Sequence, residues 1–188
     1  MQNRFSVYRA ALTALMLTAL AASPLCAQTP PATPPANAAQ AKASGDWGVR
    51  CAAGSSVSPC EMVQVATQNK TGRRVLSVSL AFVPQNNRYI FQLAVPLGVL
   101  LAKGVKIIAT GYNEPAMIYR RCDSAGCYVE GLVDAEMIDA LAKASGPAKV
   151  EITSADGRTV DLPFSLRGFS EARKNMEDLA RQKAVAKP

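Results

Sequence analysis

Histidine is absent from all 188 residues. That excludes a His general base, every Ser-His-Asp or Cys-His arrangement, and every metal site with a His ligand. Aromatic residues are scarce at 6%, with a single Trp. No uncharged apolar run reaches the roughly 20 residues that a membrane-spanning helix requires. Neither a C-x-x-C pair, a G-x-S-x-G elbow, a Gly-rich phosphate loop nor an H-E-x-x-H stretch occurs, so the usual zinc-knuckle, dithiol-redox, acyl-transfer and nucleotide signatures are missing. No cofactor and no metal is expected. Acids are outnumbered, 14 against 21 basic residues, for a net charge of +7. The excess is diluted along the chain. Residues 1–27 hold Arg4 and Arg9 and no acid, residues 28–44 add only Lys42, and residues 45–170 hold 13 basic against 11 acidic groups. Without a basic stripe interleaved with aromatics, nucleic acid is not an expected partner.

What is present begins with an export pattern. Arg4 and Arg9 precede Ala10–Ala22, an uncharged Leu- and Ala-rich run of 13 residues, and Ser23, Pro24 and Ala27 follow. A positive start, a short apolar stretch and a small-residue cleavage site describe a signal peptide over residues 1–27. Cys26 follows Leu25, where a lipid-attachment site wants a small residue, so lipidation is not expected. Residues 28–44 contain Pro30, Pro31, Pro34 and Pro35 and no Val, Ile, Leu, Met or aromatic residue. They read as a disordered Pro/Ala-rich linker, because they have nothing with which to bury a core. The mature chain is expected in the periplasm or secreted, with association to the outer membrane as a further destination.

Cys51, Cys60, Cys122 and Cys127 remain after the leader. In an oxidising compartment an even count implies disulfides, and four cysteines allow three pairings. The turn-rich stretches between the members of each pair favour 51–60 and 122–127, each stapling the end of a hairpin. Strand-like runs occupy 46–51, 61–67, 74–83, 89–93, 105–109, 117–122, 127–133, 149–153 and 159–166. Thr71-Gly72, Asn86-Asn87 and Asp156-Gly157 supply hairpin turns. Asp134 can cap a helix running to Lys143, and Ser170 a second that fades into the basic tail. About nine short strands with one inserted helix and a C-terminal helix predict an all-β antiparallel sandwich over residues 45–170, with the helix and tail over 171–188.

Catalytic candidates are few. Lys70-Thr71-Gly72 matches the K-T-G box of penicillin-recognising enzymes, but no serine has a Lys three residues on, so a hairpin turn explains it. Glu61, Glu130 and Glu151 are the available acids or bases, and the solvated face of a sheet accounts for them equally. Arg73-Arg74 and Arg120-Arg121 alternate across a strand and make no clamp by themselves. Trp47 reads as a core anchor.

Several pieces together carry a resemblance. They are Gly45-Asp46-Trp47-Gly48-Val49-Arg50-Cys51, Cys60-Glu61-Met62-Val63-Gln64, Pro96-Leu97-Gly98-Val99, Arg121-Cys122 with Gly126-Cys127, and Pro163-Phe164-Ser165-Leu166-Arg167-Gly168-Phe169. In this order, over about residues 45–180, the chain resembles the invasion-associated locus B family. The resemblance implies an exported bacterial protein with an immunoglobulin-like sandwich and no known catalytic residues. It also implies a role in host-cell invasion and virulence or in the cell envelope generally. The reading is therefore a non-enzymatic envelope protein that meets a protein or envelope partner through an edge strand or through loops such as 84–88 and 110–116. The alternatives are a binding module for a small apolar or glycan ligand and a carboxylate-dependent enzyme. Export makes the first prediction: the intact mass of protein recovered from the periplasm corresponds to a chain starting at Gln28. Recovery of the full-length chain from the cytoplasm would overturn it.

Overall fold

A computed structural model describes residues 39–54 and 56–185. The expected leader with Cys26, and residues 28–38 of the expected linker, lie outside these. Eleven strands and two helices follow one another: β1 (Ala39–Ser44), β2 (Trp47–Cys51), β3 (Cys60–Thr67), β4 (Arg74–Val83), β5 (Arg88–Val95), β6 (Val105–Ala109), β7 (Tyr112–Asn113), β8 (Arg121–Asp123), β9 (Gly126–Val133), α1 (Ala135–Lys143), β10 (Ala148–Thr153), β11 (Thr159–Phe164) and α2 (Phe169–Val185). Seven strands form one sheet in the order β1-β2-β3-β4-β5-β9-β8, and four form a second in the order β11-β10-β6-β7. The strand pairings are antiparallel, as the alternation and turn chemistry predict.

Alternation decides the core. On β4, Leu76, Val78, Leu80 and Phe82 are buried, and on β5 so are Tyr89, Phe91, Leu93 and Val95. The register sets Val78 opposite Leu93, Leu80 opposite Phe91 and Phe82 opposite Tyr89, so one face of the large sheet is continuously apolar. Val105, Ile107, Val150 and Ile152 from the small sheet, Met137, Ile138 and Leu141 from α1, and Phe169, Ala172 and Met176 from α2 join the same cluster. Burying a side chain of this size contributes roughly 1.5–3 kcal/mol. The helix α2 lies against β1–β4.

The structure departs from the sequence reading at four places. β1 occupies residues 39–44 of the expected linker, so the folded part begins before Gly45. The ladder to β2 holds this strand. The strand expected over 117–122 shrinks to β8, because Met117 bridges to Val105 of the small sheet and the chain then crosses to the large one. Asp134 stands at the N-cap of α1 but gives its carboxylate to Arg88 at 3.4 Å instead of to the helix N–H groups. Finally, α2 starts at Phe169, two residues before the boundary drawn at 171, and Ser170 donates to the Ala142 carbonyl at 3.2 Å.

One crossing ties the two ends of the domain together. Asp46 N–H donates to the Arg167 carbonyl at 3.1 Å, and the Arg167 guanidinium grips the Asp46 carboxylate. Trp47 Nε1 donates to the Ser165 carbonyl at 3.0 Å, and its ring stands edge-on to Phe164 and Phe169. Gln64 brackets Ser165, accepting from its N–H at 2.7 Å and donating to its carbonyl at 3.1 Å. Gly45 and Gly168 both have positive φ, and a Cβ on either would collide with the backbone of the other strand of the crossing.

Two outcomes follow. Gly168→Ala meets the Ser44 carbonyl in a conformation that alanine disfavours, and should cost about 3 kcal/mol in urea unfolding; an unchanged midpoint would show that the crossing yields freely. The Asp46 carboxyl is held down to about 2, first by the Arg167 hydrogen bond and then by the Ser165 hydroxyl. An unfolded Asp titrates near 3.9, so this contribution is complete above about pH 4 and is lost as pH falls towards 2. The gap in urea midpoint between wild type and Asp46→Asn should therefore narrow across that window.

Candidate functional site

The structure disperses the acid candidates. Glu61 lies on the outer face of the large sheet, paired with Arg50 at 2.7 Å. Glu130 lies on the same face three strands away, roughly 14 Å at ordinary strand spacing. It accepts from Gln92 at 2.7 Å and Arg121 at 3.1 Å. Glu151 sits on the other sheet beside Lys106 at 3.4 Å. No two of the three make the pair of facing carboxylates, about 5–10 Å apart, that glycoside hydrolysis uses. Among the described residues, no three Cys, Asp or Glu side chains converge where a metal could be held.

Disulfides join Cys51 to Cys60 and Cys122 to Cys127, each across a directly opposed pair of adjacent strands. Lys70-Thr71-Gly72 forms the β3–β4 turn, where Gly72 N–H donates to the Gln68 carbonyl at 2.8 Å. Arg74 donates to the Ala125 carbonyl at 2.9 Å, which ties that turn region to the second cysteine loop. Arg121 lies over the Tyr128 ring, its guanidinium carbon 3.8 Å from the centroid.

The two loops singled out in the sequence do come together. Three depressions meet at Leu132 on β9. A cavity of about 300 Å³ opens between β9 and the segment 116–120 and reaches core residues Phe91 and Val129, with Met117, Ile118 and Gly131 at its walls. A second, of about 470 Å³, is lined by Tyr112, Glu114, Pro115, Asp134 and Glu136 from the 110–116 loop and the start of α1. A third, about 750 Å³ and shallow, spreads over the outer face past Val57, Val83, Gln85, Asn86 and Ile90, taking in the 84–88 loop. Leu132 is 54% exposed, Ile118 66% and Val57 67%.

The strand geometry explains why the surface is open here. Cys122 and Cys127 oppose each other with Cα atoms 4.0 Å apart, the close spacing of a non-hydrogen-bonded pair. By alternation, Cys127, Val129, Gly131 and Val133 turn their main-chain groups towards β5, while Tyr128, Glu130 and Leu132 turn theirs to the β8 side. β8 covers that side only as far as Tyr128, whose carbonyl accepts from Arg120 N–H at 2.8 Å. Beyond it the chain leaves for the small sheet. Arg120 Nε donates to the Glu130 carbonyl at 3.2 Å, and among the described residues no strand pairs with Leu132 on this side.

Charge differs between the two ends of this edge. Arg120 and Arg121 stand at the β8 end, and Glu114, Asp134 and Glu136 at the α1 end, with Arg88 beside Asp134. The Tyr112 hydroxyl donates to Glu114, and burial followed by the Glu114 contact raises its pKa. Nearby, the Tyr119 hydroxyl is buried without a hydrogen-bond partner, and burial lifts its pKa to about 12. Leu132 and Gly131 were missed in the sequence, yet both left a signal. Leu132 is apolar on the face that Tyr128 and Glu130 make polar, and a Gly inside a strand marks a place where something comes close.

Comparison with known proteins gives the family. The profile of the Invasion associated locus B (IalB) protein family matches residues 47–177, and the chain belongs to this family. Two invasion protein B homologs of Brucella abortus, from strain 2308 and from biovar 1 strain 9-941, are each 27% identical over 136 residues, covering 72% of this chain and 78% of theirs. The crystal structure of invasion associated protein B from Bartonella henselae superposes with a TM-score of 0.67 at 24% identity, over 76% of this chain and 99% of that one, and shares its fold.

Proposed function

We propose that this member of the invasion associated locus B family is an exported, non-enzymatic envelope protein that holds a protein partner at the open edge of β9. The observation that carries the reading is the convergence on Leu132 of an uncovered strand edge, an opening into the core and the loops 84–88 and 110–116. Binding surfaces combine exposed apolar anchors with a polar rim, and Leu132 and Ile118 with the surrounding charges supply both. The two disulfides fit an oxidising compartment outside the cytoplasm. Among the described residues no helix is long and apolar enough to cross a membrane. The names of the Brucella and Bartonella relatives make host-cell invasion one setting for such a partner, and envelope maintenance is another.

The test is crosslinking in the native envelope. A photoreactive residue at Ile118 or at Leu132 should trap the same protein, and one at Lys70, on the distant β3–β4 turn, should not. Trapping from Lys70 alone would move the site elsewhere. Glu61→Gln and Glu151→Gln, provided that they fold, should leave both the crosslink and the envelope or invasion phenotype nearly intact. If either variant keeps the crosslink and loses the phenotype, binding is not the whole function, and that carboxylate becomes an acid or base.

A further inference from the structure

We infer that the open lane beside β9 takes an extended segment of the partner as an added antiparallel strand, with a Lys or Arg near the segment's N-terminal end set against Glu114, Asp134 and Glu136. This rests on the partner-holding reading above and specifies its mode.

The lane continues the line of β8. It runs past residues 130–133, about 13 Å of strand. Its main-chain offer is the N–H of Glu130 and both the N–H and the C=O of Leu132, since the Glu130 carbonyl is engaged by Arg120. Unpaired edge groups of this kind are the template for strand addition, in which the main chain supplies affinity and alternate side-chain pockets supply specificity. Both pockets exist. Gly131 pairs with buried Phe91 and so faces the inner side, and a Cβ built on it meets nothing within 4 Å. One side chain of an added strand can therefore enter the cavity between β9 and the segment 116–120, onto Phe91, Val129 and Met117. Its neighbours on the chain would lie on the outer face against Leu132 and Ile90. A β-branched apolar residue suits the inner position.

Charge sets the direction. An antiparallel segment in this lane brings its N-terminal end to the α1 end of β9, where Glu114 and Glu136 lie beside Asp134 and its partner Arg88, three carboxylates against one guanidinium, and its C-terminal end towards Arg120. The same charges disfavour a second copy of this chain, because antiparallel self-pairing centred on Leu132 sets Glu130 opposite Asp134, and like charges facing each other destabilise a sheet. The chain's own residues 28–38 carry no charge and include Pro30, Pro31, Pro34 and Pro35, so they lack both the cation and several of the N–H donors. The other edges are less inviting: β8 and β7 have three and two residues, β11 carries Pro163, and the six-residue β1 has Lys42 in its sequence and a register shift between Ala39 and Lys42.

The experiment selects nine-residue peptides from a random display library on the full mature chain and measures them by amide hydrogen exchange. Selected peptides should alternate β-branched with other residues after an N-terminal Lys or Arg, and should slow exchange at Glu130 and Leu132 at least tenfold. Methylating alternate peptide nitrogens should weaken binding at least tenfold in one of the two registers. Gly131→Leu, which fills the inner pocket, should weaken it at least tenfold, and Glu136→Gln several-fold. Gly131→Leu must keep the wild-type exchange pattern elsewhere; if it does not fold, the methylated peptides on the wild-type chain decide. No selected peptide, peptides that leave these amides unprotected, or peptides indifferent to methylation in both registers would overturn the inference. So would protection that rises with protein concentration in the absence of peptide, which would identify a second copy. If strand addition fails while Ile118 and Leu132 still trap one partner in the envelope, the partner-holding reading stands without it.

Discussion

Ser44–Gly45 and Arg167–Gly168 pass so close that neither glycine could carry a side chain, and the rest of the architecture follows from that contact. It fixes the β1–β2 turn to the residues entering α2, from opposite ends of the folded chain. Trp47 fills the space behind it, held by Ser165 and edged by Phe164 and Phe169. With its first turn set there, α2 has to run over β1–β4. Its position is then secured along its length by Asn175 donating to Ser44 at 3.1 Å and by the Tyr89 hydroxyl donating to Glu177 at 2.5 Å. Arg173 joins Glu177 to Asp139 of α1. Two of the stretches that carry the sequence resemblance, Gly45-Asp46-Trp47 and Ser165 to Phe169, are thus occupied with closing the domain.

Closure at one end leaves the opposite end of the large sheet to different means. There, among the described residues, the segment 114–120 supplies the cover, bound to β6 at Met117 and to β9 at Arg120, with Tyr119 packed against the core between them. The Cys122–Cys127 bridge pins the three-residue β8 to β9. A short loop of this kind gains roughly 2–3 kcal/mol in the chain-entropy picture. Its geometric effect matters more. A strand this short would fray without the bridge, and one held in place marks a sharp limit between covered and uncovered edge. The opening at Leu132 is bounded on one side by a covalent staple and on the other by the start of α1.

Much of this was legible in the residues because it is governed by local patterning. Period-two alternation points to β3 and β4, strand-like runs to β5, β9 and β10, and Asn86-Asn87 and Asp156-Gly157 to hairpin turns. Turn-rich spacers pointed to the cysteine pairing that the structure contains. What could not be read were features whose cause lies elsewhere in the chain. β1 has no apolar pattern because its partner strand supplies its ladder. Asp134 and Ser170 look like caps, but Arg88 and the Ala142 carbonyl compete for their side chains. The two loops could be named as contact candidates from composition, but their meeting at Leu132 depends on which strand neighbours which. Three strands, β4, β5 and β9, separate β3 from β8 in the sheet, and nothing in the sequence between them announces that order.

Net and local charge have opposite signs at the open edge, and this bears on how a partner is chosen. Without the expected leader, which holds Arg4 and Arg9 and no acid, the +7 of the full sequence falls to +5, 19 basic against 14 acidic residues, so a basic segment is weakly repelled at a distance. At physiological ionic strength that repulsion is screened within about 8 Å. Once inside that range, the segment meets Glu114, Asp134 and Glu136 before it meets the diffuse positive charge of the rest of the molecule. Attraction is therefore confined to the docked geometry and adds little to the encounter rate. Electrostatics arranged this way favour correct register over fast capture. An acidic segment is drawn to the surface in general but is rejected at the α1 end of the lane. Only a chain that is cationic at one end, extended, and able to donate and accept along its backbone satisfies the edge, the cavity and the carboxylates together.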